Sequence, residues 1–128
     1  MNIKSPQTLV AEALKQVKTI TPEEAIKLVS ENKCNLIDIR DEVELQKLGT
    51  IANSFHIPRG LLEFSFHPES AYVQNNQIDL NKETVLFCAA GGRSALAAKT
   101  LKEMGFKNVS HIEGGFGLMK QKGFKIKT

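Results

Sequence analysis

The sequence predicts an α/β fold: a small parallel sheet flanked by helices on both faces. Two observations carry that prediction. Short apolar runs of strand length, "NLIDIR", "TVLFC" and the start of "NVSHIEGGF", are separated by stretches whose apolar residues recur at helical spacing. The strands and helices alternate along the chain, and alternation of that kind builds a parallel sheet with its connections packed on the two faces.

The elements follow in order. Leu9, Val10, Ala13, Leu14 and Val17 recur at helical spacing and predict a first amphipathic helix, so residues 1–18 are expected to pack as an N-terminal helix on a domain spanning 19–128. A second helix starts at "TITPEEA", where Thr21 caps, Pro22 takes the first helical position, and Glu23 and Glu24 meet the positive end of the dipole. "NLIDIR" is a buried strand, 41–48 a short helix, and "SFHIP" (54–58) a short strand ended by Pro58. Residues 59–82, with Gly60, Pro68, Asn75 and Asn76 among apolar residues, are expected to form short helical turns and a surface loop. "TVLFC" (84–88) is the next strand. A helix over 93–104 follows, with a buried stripe of Leu96, Ala97, Leu101 and Met104 and a C-cap at Gly105. "NVSHIEGGF" supplies a last strand and a Gly-Gly turn before a short helix over 116–121.

Composition narrows the function classes. The 128 residues are 41 % hydrophobic and 24 % charged, those of an ordinary globular domain. A net charge of +3 from 17 basic and 14 acidic residues, without a basic run, favours small anions and argues against nucleic acid. No apolar stretch approaches the roughly 18 residues of a membrane span, and the N-terminal segment does not read as a signal peptide. His56, His67 and His111 share no ligand spacing with each other or with Cys34 and Cys88, so no metal site is expected. Two distant cysteines suit the cytoplasm, where thiols stay reduced.

The chemistry gathers in "VLFCAAGGRSALAAKTL". In parallel sheets the ligand crevice lies outside the carboxyl ends of the strands, which is where Cys88 is expected. Gly91 and Gly92 allow a sharp strand-to-helix turn, and Ala89 and Ala90 add almost no bulk. Such a loop aims successive N–H groups inward as an anion nest, the helix start adds its dipole, and Arg93 adds a forked charge. Each of these stabilises negative charge on sulfur. An ordinary thiol ionises near pH 8.5, and lowering it by about two units, worth ~2.7 kcal/mol, would make the thiolate the majority form at neutral pH. Cys88 is therefore the expected nucleophile, in place of a small buried hydrophobe.

With those residues in view, the chain resembles the rhodanese-like family of single-domain sulfurtransferases. "ITPEEA", "LIDIRDEVEL", "HIPRG", "CAAGGRS" and "HIEGGF" match the family's pieces in order across residues 20–123. The resemblance implies that Cys88 takes the outer sulfur of a small anionic donor, thiosulfate or a persulfide, as a cysteine persulfide. It then passes that sulfur to cyanide or a thiol, or exchanges it with a protein partner. No cofactor is implied. The backbone of Ala89, Ala90, Gly91, Gly92 and Arg93 would cradle the sulfur and the donor, with Arg93 bracing the loop.

Departures from the family pattern refine this. "GTIANS" (49–54) stands where the family commonly has Gly-His-Ile-Pro-Gly-Ala, and Phe116 stands where tryptophan is frequent. Ala89 and Ala90 replace basic residues common in members that prefer thiosulfate, which makes a persulfide or another thiol donor an equal candidate. Cell-cycle phosphatases related to this family place five residues between cysteine and arginine. Four intervene here, which leaves a phosphatase or arsenate reductase a minor alternative. A non-enzymatic binding or sulfur-carrier module is the main one.

Other residues carry two readings each. Asp38 and Arg40, the family's Asp-x-Arg, are read chiefly as a structural ion pair that positions loops. Arg59 either reaches the crevice to hold an anion or is a solvated surface arginine. Ser94 either bonds the Cys88 sulfur or caps its helix, and capping is the preferred expectation. Phe64, Phe66 and Tyr72 either wall the crevice and set substrate size or pack in the core, with core packing the preferred expectation, and His56 and His111 are expected as hydrogen-bonded structural residues. Cys34 precedes one parallel strand whereas Cys88 ends another, on the order of 10–15 Å away, too far for a disulfide. It is expected to be a buried structural thiol.

Overall fold

A computed structural model describes all 128 residues. Five parallel strands, β1 (Lys18–Ile20), β2 (Cys34–Asp38), β4 (Phe55–His56), β5 (Glu83–Phe87) and β6 (Val109–Ile112), form one sheet in the order β1-β6-β5-β2-β4. β3 (Thr50–Ile51) and β7 (Ile126–Lys127) pair antiparallel in a separate two-stranded sheet. The helices are α1 (Pro6–Leu14), α2 (Pro22–Ser30), α3 (Glu42–Leu48), α4 (Leu62–Ser65), α5 (Ala71–Gln74), α6 (Gly92–Glu103) and α7 (Gly115–Gln121), with a 3-10 turn at Arg59–Leu61.

The period-two alternation of the central strands sends side chains into two apolar layers. Leu36, Val85 and Phe87 join one with Ala25, Phe116 and Met119, beneath α2 and α7. Ile37, Leu86 and Cys88 join the other with Ala97, Ala98 and Leu101 of α6. α1 packs on α6: Ala13 is fully buried, and Lys102 Nζ donates to the Gln16 carbonyl at 2.6 Å.

The helix starts are capped as their residues require. Thr21 and Glu24 form a reciprocal capping box on α2, and Ser5 Oγ accepts the Thr8 N–H at 3.0 Å on α1.

Several expectations are corrected. α1 ends at Leu14, so Val17 lies outside it, and residues 18–20 form β1. The buried face of α6 is Ser94, Ala95, Ala97, Ala98 and Leu101; Leu96 is half-buried and Met104 is exposed. Small alanines there let the helix lie close on the sheet. Phe66 is in the core and Tyr72 packs edge-on against Phe55, but Phe64 is 80 % exposed.

Candidate active site

Cys88 directly follows β5, the central strand, at its carboxyl end, and the whole residue is 1 % exposed. The local backbone explains which way its neighbours face. At the start of α7, the Phe116 N–H donates to the Cys88 carbonyl at 2.7 Å and the Gly117 N–H to the Ala89 carbonyl at 3.3 Å. Those carbonyls are drawn toward α7, and the following amides turn the other way. The Gly91 N–H then reaches Cys88 Sγ at 3.1 Å and the Ser94 N–H reaches it at 3.3 Å.

Two glycines make this approach possible. Gly91 caps α6 with φ +108°, and Gly115 has φ +56°. A Cβ on Gly115 would fall against the Cys88 carbonyl oxygen and within 2.8 Å of the Ala89 carbonyl group. The Gly-Gly turn after β6 is therefore a spacing device for the cysteine loop.

Burial pushes the Cys88 thiol up. The Ser94 hydroxyl and the N–H groups of Ser94, Gly91 and Ala90 outweigh that burial and hold it below its ordinary value. Ser94 Oγ lies 3.5 Å from Sγ. Ser94 is the third residue of α6 and does not cap it, because its N–H is bound to sulfur and Gly91 occupies the cap. The hydroxyl also lies 2.9 Å from His111 Nδ1, and His111 Nε2 lies 2.9 Å from Thr19 Oγ1.

Arg93 does not lie free in the loop. Its Nη1 and Nη2 donate to Glu44 Oε2 and Oε1 at 2.8 and 2.9 Å. Glu44 Oε2 also accepts the Asp41 N–H at 2.9 Å, so one carboxylate ties α6 to the start of α3. The Arg93 guanidinium holds the Glu44 carboxyl down to about 2, against the smaller opposing pull of burial. Glu44 is the partner that sequence reasoning missed; its one local signal is its place three residues after Asp41, as in a capping box.

Asp38 and Arg40 are fully buried. Arg40 Nη2 donates to Asp38 Oδ2 at 2.9 Å and to the Gly49 carbonyl at 2.8 Å, and Nε donates to Asp38 Oδ1 at 3.1 Å. Thr50 Oγ1 donates to Asp38 Oδ2 at 2.6 Å, within the segment where "GTIANS" departs from the family. The guanidinium lies 4.0 Å over the Phe116 ring, so the ion pair supports the residue that holds the Cys88 carbonyl. This is the structural reading of the pair.

Arg59 is exposed; its N–H donates to the Ile39 carbonyl at 3.1 Å, and its side chain makes no hydrogen bond. Ala89, Gly91 and Gly92 are half-buried and Ala90 is exposed. A cavity of about 230 Å³ lies against the outer side of the loop. It is lined by Ala90, Gly91, Gly92 and Gly114, by Thr19, His111 and Glu113, and by Val10 and Leu14 of α1.

Cys34 opens β2 opposite Glu83, at the far end of the sheet from Cys88, and is half-buried. Burial and the Glu83 charge push its thiol up to about 11. His56 Nε2 is bonded to the Arg40 carbonyl at 2.7 Å, a structural role as expected. No group of three His, Cys, Asp or Glu side chains stands together to hold a metal ion, and no helix is long and apolar enough to cross a membrane.

Comparison with known proteins gives this geometry relatives. The family model for the rhodanese-like domain matches residues 21–122. The solved structure of RPA3614 from Rhodopseudomonas palustris, a protein of unknown function described as a possible tyrosine phosphatase, is 40 % identical. It superposes with a TM-score of 0.86 over 99 % of this chain and 97 % of that one. The polysulfide-sulfur transferase homodimer of Wolinella succinogenes is 34 % identical, with a TM-score of 0.74 over 94 % of this chain and 85 % of that one. YrkF of Bacillus subtilis strain 168, provisionally named a sulfur carrier protein, is 33 % identical over 89 residues. That match covers 70 % of this chain but 43 % of YrkF, so the chain spans less than half the length of this curated relative.

Proposed function

The chain belongs to the rhodanese-like family, and from that premise we propose that it is a sulfurtransferase carrying sulfane sulfur on Cys88. The observation that carries the proposal is the pair of backbone N–H groups, from Gly91 and Ser94, directed at Sγ at 3.1 and 3.3 Å. Neutral dipoles fixed by the fold stabilise an anion on sulfur without closing the site with a counter-ion.

The Cys88 thiolate attacks the outer sulfur of thiosulfate or a persulfide. The new S–S bond forms as the old one breaks, and sulfite or a thiolate leaves with the electron pair. Cyanide or a thiol then attacks the outer sulfur of the Cys88 persulfide, and Cys88 departs as the thiolate. Two displacements through one covalent intermediate make the kinetics ping-pong. The donor is small and anionic, and the acceptor is a thiol, cyanide or a protein partner, in keeping with what the Wolinella and Bacillus relatives are named for. The proposed location is the cytoplasm, which keeps a Cys88 thiol reduced.

A carrier or docking module remains the second reading, favoured by the name of YrkF. A phosphatase, suggested by the description of RPA3614, fits less well. Only four residues separate Cys88 from Arg93, and Glu44 occupies both prongs of that arginine, which a phosphate dianion would need. The test is mass spectrometry after incubation with thiosulfate, mercaptopyruvate or glutathione persulfide. An adduct of about 32 Da, one sulfur atom, on the wild type but not on Cys88→Ser, discharged by cyanide or a thiol, is expected. No adduct with any donor would leave the module. Cys88-dependent hydrolysis of an aryl phosphate would favour the phosphatase.

A further inference from the structure

His111 makes contacts that sulfur transfer by itself does not require. It is 1 % exposed, on β6, with both ring nitrogens engaged: Nδ1 with Ser94 Oγ and Nε2 with Thr19 Oγ1, each at 2.9 Å. Ser94 Oγ continues the line to Cys88 Sγ at 3.5 Å. Thr19 is exposed on the edge strand β1 and lines the cavity beside the loop, so the line runs from a buried sulfur to an opening.

Ser94 Oγ also lies 3.3 Å from the Gly91 carbonyl, longer than a usual O–H···O bond, so with the Ser94 proton kept on the line two arrangements remain. The Ser94 hydroxyl has one proton to give, and a neutral imidazole has one N–H. With the imidazole proton on Nε2, His111 donates to Thr19, Nδ1 takes the Ser94 proton, and the bare side of Ser94 Oγ accepts from a Cys88 thiol. With it on Nδ1, His111 donates to Ser94 Oγ, Ser94 donates to a Cys88 thiolate, and Thr19 donates to Nε2. The first arrangement fits the thiol and the second the thiolate.

We propose that His111, oriented by Thr19, is a positioning residue that sets the protonation of Cys88 through Ser94 and gives the thiol proton a route to solvent. One concerted shift converts the first arrangement into the second. The sulfur proton passes to Ser94 Oγ, the Ser94 proton to Nδ1, the Nε2 proton to Thr19 Oγ1, and the Thr19 proton to water entering the cavity. The sulfur keeps its electron pair, and nothing is oxidised or reduced. Burial lowers the His111 pKa, which keeps the ring neutral and able to pass a proton on. Glu113 is the one charged side chain lining the cavity; Arg93 on α6 is tied to Glu44, and Lys18, beside Thr19, is tied to Glu83.

The proposal rests on Cys88 being the reactive thiol, and its test uses no sulfur donor, so it fails or stands separately from sulfur transfer. The rate of Cys88 alkylation by iodoacetamide is followed against pH by mass spectrometry of the peptide. His111→Gln, which keeps hydrogen bonds but cannot exchange tautomers, is expected to raise the midpoint by roughly one pH unit, a tenfold loss of thiolate near neutrality. Thr19→Val is expected to raise it by less. In a Ser94→Ala chain, adding His111→Gln is expected to change nothing. An unmoved midpoint in His111→Gln, or an equal shift with and without Ser94, would overturn the proposal. The ring nitrogen chemical shifts of His111 in the wild type give a second reading that needs no variant. They are expected to report an Nδ1–H ring above the Cys88 midpoint and an Nε2–H ring once Cys88 is capped as a methyl disulfide; a ring indifferent to capping would overturn it.

Discussion

Arg93 and Glu44, far apart in sequence, meet in a two-pronged ion pair of 2.8 and 2.9 Å that fastens the first turn of α6 to α3. The pair spends the arginine's charge on holding the cysteine loop in place. What faces the sulfur is neutral: the amides of Gly91 and Ser94 and the Ser94 hydroxyl.

This pair has a pH signature. The Glu44 carboxyl is held down to about 2, below its ordinary value of 4.5, so it stabilises the fold above that ordinary value. The contribution fades as pH falls from there through about 2. Glu44→Gln is expected to lower the melting temperature at pH 7 by a few degrees, modestly because both side chains are partly exposed (29 % and 38 %). The difference from wild type is expected to shrink steadily below about pH 4.5. Thermal melts across pH check it; a constant difference down to the acid limit contradicts it.

Gly115 and Gly105 offer a matched contrast. Both have positive φ, +56° and +111°, but a Cβ on Gly105 meets nothing within 4 Å whereas one on Gly115 strikes the Cys88–Ala89 backbone. Gly115→Ala is expected to destabilise the protein and to slow sulfur loading of Cys88 between about ten- and a hundredfold by displacing the amide cradle. Gly105→Ala is expected to cost about 1–2 kcal/mol of stability from backbone strain, with loading unchanged. Denaturant melts and loading rates on the two variants separate these effects.

Asp38→Ala strands the fully buried Arg40 guanidinium, which keeps only the Gly49 carbonyl and the Phe116 ring as partners. The expected loss is about 3–5 kcal/mol in urea unfolding. A loss below about 1 kcal/mol would mean that the pair does not support Phe116 and the loop behind it.

The parts of the fold legible in the sequence were those with a local cause. β2, β5, β6 and the helix after Cys88 announced themselves through apolar runs, glycines and caps, and the turn at residues 88–94 through its small side chains. β1 was missed because two of its three residues are exposed and only Ile20 is buried. β3 and β7 were missed because two-residue strands pair across the chain, Thr50 with Lys127, without periodicity of their own. The site divides in the same way. The cysteine loop is contiguous and was readable, whereas Glu44 and Thr19 reach it from distant segments. Ser94 looked like a cap from its position alone, and only the course of the backbone shows its N–H on the sulfur.

The account turns on the ionisation of Cys88, and the direct measurement is its alkylation rate against pH in the wild-type chain, read peptide by peptide. Cys34, with its thiol pushed up to about 11, is expected to stay unlabelled near neutrality. Cys88 is expected to react with a midpoint below the roughly 8.5 of a free cysteine. A midpoint at or above that of free cysteine would contradict the amide cradle, and with it the sulfur chemistry built on it.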